Sequence, residues 1–378
     1  VYKRQAWDDL TPDQQRVSAR YMEAFAGFLS HTDAELGRLI DFLDTTGDLQ
    51  NTLVMVLSDN GASSEGGAGG SLNDVRHWNL LDSPLDEALD RLDEIGGPRI
   101  HNNYPWGWTV AGNTPFRRWK REVHEGGVAD PLVIHWPAGM GRPGETRHQY
   151  VHAIDLTPTV LEAAGVPAPE VLGGVPQRPL EGASFLACLT DADAPSPRTT
   201  QYYEMLGCRA IHHEGWKAVT YHPIQSDEPG LGDDAWELYD VSVDPSECHD
   251  LAAEHPERLA ELIERWWAEA ERHLVLPVDN RPFSEFTTSR PDPTRGRTRF
   301  VLRPGGGMIP EACSANIKNR THSVVASVEV AEGEVPSGVL ASQGSYLGGW
   351  ALYVDDGDLG WHLNNGTRRF STVRSPVT

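Results

Sequence analysis

Apolar residues recur at helical spacing behind Thr11-Pro12-Asp13-Gln14: Tyr21, Met22, Phe25, Phe28 and Leu29, then Leu36, Leu39, Ile40 and Leu43. The opening tetrad holds a cap residue, proline at the first helical position and Gln three after the cap. Thr46-Gly47 closes the pattern, so one long helix is predicted. The spacing then changes. Thr52-Leu-Val-Met-Val-Leu57 is a continuous apolar run of strand length, which predicts a strand buried on both faces, as in a parallel sheet. A second such run, Pro131–Trp136, is stopped by Pro137. Between them, residues 61–80 are rich in Gly and Ser and residues 98–113 lack periodicity, so both are read as irregular, with a short amphipathic helix at Leu85–Leu92. Asp155–Leu161 opens a further helix with Gly165 beyond its end. Strand and helix in alternation predict α/β layers.

The pattern shifts again after a Pro-rich stretch at 187–198, read as a linker. Short strands at Arg209–His212, Trp216–Tyr221 and Trp236–Tyr239 precede an amphipathic helix from Pro256 to His273. They predict a small antiparallel α+β subdomain at 199–283. From 284 to 378 the sequence is β-like, with Val324–Val330, Tyr346–Val354 and Trp361–Leu363 set between Gly- and Asp-rich turns. Asp355-Asp356-Gly357-Asp358 lacks the later ligands of an EF-hand, and Asp-Gly between strands signals a hairpin.

Composition narrows the function classes. The 378 residues exceed one ordinary core and imply two or three domains. A formal charge of −23 repels nucleic acid and anionic lipid, so neither is expected as a partner. No apolar run reaches the roughly 20 residues of a membrane helix. Cys188, Cys208, Cys248 and Cys313 form no CxxC pair, against a zinc cluster. No GxSxG, P-loop, HExxH or GxGxxG occurs. Asn319-Arg-Thr and Asn365-Gly-Thr match the short glycosylation pattern.

Two segments carry candidate chemistry. Ser58-Asp59-Asn60-Gly61 follows the first buried run, and ligand sites in α/β sheets lie at that end of strands. A carboxylate beside an amide offers two hard oxygen donors for Ca²⁺ or Mg²⁺, although the same residues make an ordinary Asx turn. In Asn113–Gly127 four basic residues, Arg117, Arg118, Lys120 and Arg121, lie within five positions of an acidic chain. A cation there can stabilise charge developing on oxygen; on composition alone, a solvated basic turn paired with nearby carboxylates is the favoured reading. His124 and His152 read as structural histidines, and Trp266-Trp267 as helix packing.

In order and spacing, Ser58–Gly61, Asn113–Pro137 and His152-Ala-Ile-Asp155-Leu-Thr-Pro-Thr159 resemble the type I, formylglycine-dependent sulfatases of the alkaline phosphatase superfamily. Trp216-Lys-Ala-Val, Trp236-Glu-Leu-Tyr-Asp240 and His249-Asp-Leu-Ala252 are similar to that family's C-terminal subdomain. The resemblance runs over roughly residues 5–283. It implies the C-terminal portion of an α/β mixed-sheet sandwich at 1–190, then the α+β subdomain and a β-rich extension. It further implies hydrolysis of a small-molecule sulfate ester, Lys120 contacting the sulfate and bridging oxygen, and Asp59 and Asn60 as half of a Ca²⁺ site, Mg²⁺ being the lesser alternative. The family's Cys- or Ser-x-Pro-x-Arg nucleophile motif occurs nowhere in these residues. The resemblance therefore implies a C-terminal part whose N-terminal half lies outside this sequence. A phosphonate or phosphodiester hydrolase on the same scaffold, or a non-catalytic binding module, are the alternatives.

Overall fold

The computed structural model describes residues 6–376 apart from 74–75, 77–82, 142–143, 224–229, 281–292, 295, 304, 306, 319, 346–347 and 365–369. Helix α1 (Pro12–Thr46) begins with a reciprocal box: the Gln14 amide donates to Thr11 Oγ1, and the Thr11 amide donates to Gln14 Oε1. It ends at Gly47, whose φ of 80° turns its N–H back to the Asp44 carbonyl. Val17 and Tyr21 of α1 pack with Leu72, Ile95, Ile100 and Ala88, the last on helix α2 (Leu85–Asp90).

Strands β1 (Val54–Leu57) and β2 (Leu132–His135) pair antiparallel, Val54 opposite His135 and Leu57 opposite Leu132. This corrects the reading of a parallel strand buried on both faces. Met55, Leu132 and Ile134 pack against Phe185, Cys188 and Leu189, while Val56 and Val133 are exposed. A second correction is helix α3 (Trp106–Asn113), inside the stretch read as irregular. Gly107 and Gly112 hide its periodicity. Tertiary hydrogen bonds hold it instead: Trp106 Nε1 to the Ser64 carbonyl and Thr109 Oγ1 to the Ser63 carbonyl, both 2.6 Å.

Helix α4 (Glu125–Val128) is a single turn ahead of β2, and α5 (Leu156–Ala163) follows the buried Asp155. Strands β3 (Val171–Leu172) and β4 (Val175–Pro176) make a small hairpin. Helix α6 (Leu186–Thr190) and the buried Ala194 occupy the stretch read as a linker, which is packed because its apolar residues close the underside of β1 and β2.

The α+β subdomain is a four-stranded antiparallel sheet in sequence order: β5 (Thr200–Met205), β6 (Cys208–His213), β7 (Trp216–Thr220) and β8 (Trp236–Asp240). Strand β5 was not among the strands expected. Helix α7 (Pro256–Arg272) buries Leu262, Trp266 and Ala270 against Ile211, Ala218 and Leu238 on one face of the sheet. On the other face, Ala210, Val219 and Tyr239 pack against Val123, from the segment between α3 and α4. The basic segment is thus clasped by the sheet.

The extension is a meander of β9 (Gly338–Ser345), β10 (Gly348–Asp355), β11 (Asp358–Asn364) and β12 (Phe370–Pro376). Asp356 and Gly357, at φ 50° and 83°, make the expected hairpin turn. Residues 324–330 form no strand: their mostly exposed backbone pairs with no neighbouring edge among the described residues. Asn319 and Asn365 lie outside the described residues. Among the described residues no helix is long and apolar enough to cross a membrane.

Trp266 is fully buried and its indole N–H donates to the Tyr203 carbonyl at 3.0 Å. Trp266→Ala is expected to destabilise the subdomain by roughly 3–5 kcal/mol, measured by hydrogen exchange of the β6 and β7 amides.

Candidate active site

The chain leaves β1 at Leu57 and is at once bonded to the basic segment. The Gly61 amide donates to the Gly127 carbonyl at 3.4 Å, and the Lys120 amide to the Ala62 carbonyl at 3.1 Å. Asn113 joins both sides. Its Oδ1 accepts from the Ala62 amide at 2.9 Å, and its Nδ2 donates to the carbonyls of Arg118 (2.8 Å) and Gly126 (2.6 Å). A Cβ on Gly61 would sit 1.8 Å from the Gly126 carbonyl oxygen, and one on Gly127 1.9 Å from that of Glu122. Glycine at both positions is what lets the backbones approach.

This arrangement brings Lys120 to the segment carrying Asp59 and Asn60. Lys120 Nζ donates to both oxygens of Glu65, at 3.2 and 3.1 Å, and both side chains are about a third exposed. Glu65 was not singled out in the sequence, where it is one acid in a Gly- and Ser-rich stretch. The other cations are paired as well: Arg117 with Glu237 at 3.1 Å, and Arg118 and Arg121 with the buried Glu122 at 3.6 and 2.9 Å.

Asp59 has an acidic neighbour that sequence separation concealed. Asp130 is pushed up to about 6, first by burial and then by the charge of Asp59. The Asn60 side-chain nitrogen donates to the Gly61 carbonyl at 3.3 Å, which commits that end of the amide to the turn. A carboxylate and an amide oxygen in a negative setting suit a hard cation. They supply part of a shell of about six to eight oxygens. Among the described residues, no group of three or more His, Cys, Asp and Glu could hold a metal ion.

His124 and His152, read in the sequence as structural, both make hydrogen bonds within the fold. His124 is buried, with Nε2 2.9 Å from Glu237 Oε2. Burial opposes ionisation of Glu237, yet hydrogen bonds from His124 and Tyr239 and the Arg117 charge hold it at about 2. His152 Nδ1 accepts from the Ile154 amide at 3.4 Å. The neighbouring Asp155 takes 2.9 and 2.8 Å bonds from the His152 and Ala183 amides and a forked contact from Arg198. A cleft of about 570 Å³ runs beside the basic segment between Phe116, Arg117 and Trp119 and Glu237, Tyr239 and Cys248. Lys120, Asp59 and Asn60 do not line it.

Comparison with known proteins matches residues 2–166 to the family described as Sulfatase and residues 117–272 to the C-terminal region of N-sulphoglucosamine sulphohydrolase. The chain belongs to the sulfatase family. This sulfatase is 33% identical over 282 residues to an uncharacterized sulfatase of Schizosaccharomyces pombe, covering 73% of this chain and 48% of that protein. It is 29% identical over 182 residues to an arylsulfatase of Klebsiella aerogenes, covering 48% and 37%. It thus spans about half or less of the length of these relatives. Among solved structures, a phosphonate monoester hydrolase of Agrobacterium radiobacter matches at 18% identity and a TM-score of 0.40, covering 65% of this chain and 40% of that one.

In this sulfatase His124 and His212 are both held at about 4, chiefly by burial. Between pH 6.5 and 4 the unfolded chain binds the protons that the folded one refuses, so stability falls as pH falls through that window. The expected loss from pH 7 to 5 is about 2 kcal/mol per histidine. Urea midpoints at the two pH values check this, and the H124Q/H212Q double variant is expected to flatten the difference.

Proposed function

We propose that this sulfatase hydrolyses small-molecule sulfate esters to sulfate and an alcohol or phenol, with Lys120 acting at the ester oxygens and Asp59 and Asn60 holding Ca²⁺. The observation that supports this most is the direct bond from the Lys120 amide to Ala62, two residues beyond Asn60. It sets an ammonium and two hard oxygen donors on adjoining backbone. Cleaving the S–O bond leaves charge on the departing oxygen and concentrates it on the sulfonyl oxygens, and preorganised cations lower that barrier. A formylglycine nucleophile, which these 378 residues do not encode within a Cys- or Ser-x-Pro-x-Arg motif, supplies attack on sulfur. Bound Ca²⁺ supplies positive charge for the sulfonyl oxygens.

The chain's own residues do the rest of the positioning. Glu65, at 3.1 Å, pairs with the partly exposed Lys120 ammonium until a sulfate group takes its place. Once transferred, Lys120 binds a sulfonyl oxygen and gives its proton to the bridging oxygen as the alcohol leaves. Asp59 and Asn60, rigidly continued from β1, present their oxygens to the cation.

Expressed from its complete reading frame, the protein is expected to turn over aryl sulfates in preference to aryl phosphonates. Lys120→Ala is expected to lower kcat about 10²-fold or more. Preference for the phosphonates would assign the sister reaction, and undiminished turnover by K120A would remove Lys120 from the chemistry. For the 378-residue chain alone, calorimetry with Ca²⁺ is expected to give a Kd of about 10⁻³ M or weaker, abolished by Asp59→Ala. Micromolar binding would mean that further residues complete the shell.

A further inference from the structure

Outside the residues assigned above lies a charge with no exposure at all. Lys217 lies in β7, one of the two inner strands of the sheet, and its side chain is wholly buried. Its Nζ is 2.6 Å from Glu125 Oε1 and 3.1 Å from Glu247 Oε1, and Glu247 is also fully buried. The second Glu247 oxygen accepts the Glu125 backbone amide at 2.9 Å. Burial opposes the charge, but the two carboxylates hold Lys217 above the ordinary lysine value. A buried ion triad of this kind is commonly no more stabilising than apolar residues of the same volume. What it adds is direction, since Glu125 can satisfy both Lys217 and Glu247 in one placement only.

Glu125 closes the segment that carries Lys120, and that segment resists its own conformation. Arg118 and Arg121 flank Lys120 with φ of 65° and 83°, left-handed values unfavourable for side chains other than glycine. Such backbone persists only where its surroundings over-determine it. The 2.8 Å bond from the Gly126 amide to the Arg117 carbonyl draws the segment into a ring. The sheet then grips both ends of the ring. Arg117 is held by Glu237 on β8, and Glu125 by Lys217 on β7, with Lys217 directly opposite Tyr239 in the register. Val123 fills the space between, against Val219 and Tyr239.

We infer that Lys217 is a positioning residue for Lys120, acting through Glu125: the α+β subdomain locks the strained segment so that the Lys120 ammonium points to where the sulfate group binds. The inference rests on the proposed role of Lys120 and gives the subdomain a part in the reaction, although it supplies no group that touches the substrate.

The test uses the 378-residue chain and needs no turnover, so its outcome is separate from that of the substrate panel. Glu125→Ala cuts the tether from the loop side and leaves Lys217 paired with Glu247, so the sheet keeps no orphan charge. In E125A, exchange of the Lys120 and Gly126 amides is expected to rise about tenfold or more while amides of β6 and β7 hold. Glu125→Gln, which keeps an acceptor for Nζ, is expected to stay within about threefold of the parent. Lysines are then ¹³C-dimethylated and the Lys120 resonance is assigned with K120R. That resonance is expected to move in E125A and return in E125Q. The inference is overturned by unchanged loop exchange in E125A, by equal loosening of loop and sheet, or by a Lys120 resonance that does not respond. Lys217→Met, which leaves two carboxylates face to face, is expected to raise exchange in the same loop amides at least as much. Protection there equal to the parent would also sink it.

Discussion

Two backbones approach within a distance that no side chain would permit, and the rest of the site follows from that approach. The chain beyond β1 and the turn at Gly126-Gly127 meet where a Cβ on Gly61 would be 1.8 Å from a carbonyl oxygen. Amides and carbonyls brought so close need partners, because an unpaired buried peptide group is costly. Asn113 provides them, with one acceptor and two donors spent on three backbone groups of both segments. The Lys120 backbone is tied by this junction to Ala62, on the segment that carries Asp59 and Asn60, while its ammonium pairs with the one-third-exposed Glu65.

The junction would be loose without the sheet behind it. Strand β7 is amphipathic in an unusual sense. Ala218 faces helix α7 and its apolar cluster, while Lys217 and Val219 face the basic segment. The subdomain therefore offers the segment both an apolar surface and a buried cation. The apolar part stabilises, and the charged part orients. Against a net charge of −23, each of the four clustered cations finds a carboxylate. The Arg118 and Arg121 pairs share the buried Glu122, whereas the Arg117–Glu237 and Lys120–Glu65 pairs are partly exposed.

Elements whose signals are local were legible in the sequence. The Thr11–Gln14 box and Gly47 bounded α1, the 3.6-residue stripe marked α7, and Asp356-Gly357 marked the hairpin. Helix α3 was hidden by its glycines and is held by hydrogen bonds to Ser63 and Ser64, which lie more than forty residues away in sequence. The apolar runs at β1 and β2 identified strands but not their direction, since periodicity says nothing about which neighbour a strand pairs with. Lys120, Asp59 and Asn60 could be named as candidates through the resemblance of their segments to the sulfatases. Glu65 and Asp130 could not, because an acid in an acidic chain carries no distinguishing pattern.

Lys217 shows most clearly where the boundary lies. In Trp-Lys-Ala-Val-Thr the alternation assigns the lysine to a solvated face, and an isolated strand would put it there. Only the tertiary structure turns that face onto another segment and makes the charge an internal one, because Glu125 and Glu247 arrive from positions 92 and 30 residues away. The sequence by itself determined the elements with local signals, such as α1, α7 and the Asp356-Gly357 hairpin, and the resemblance that points to the family, since these depend on neighbours a few positions apart. Which groups face one another across the site was decided by packing, since only the folded chain brings distant carboxylates and backbone within bonding distance.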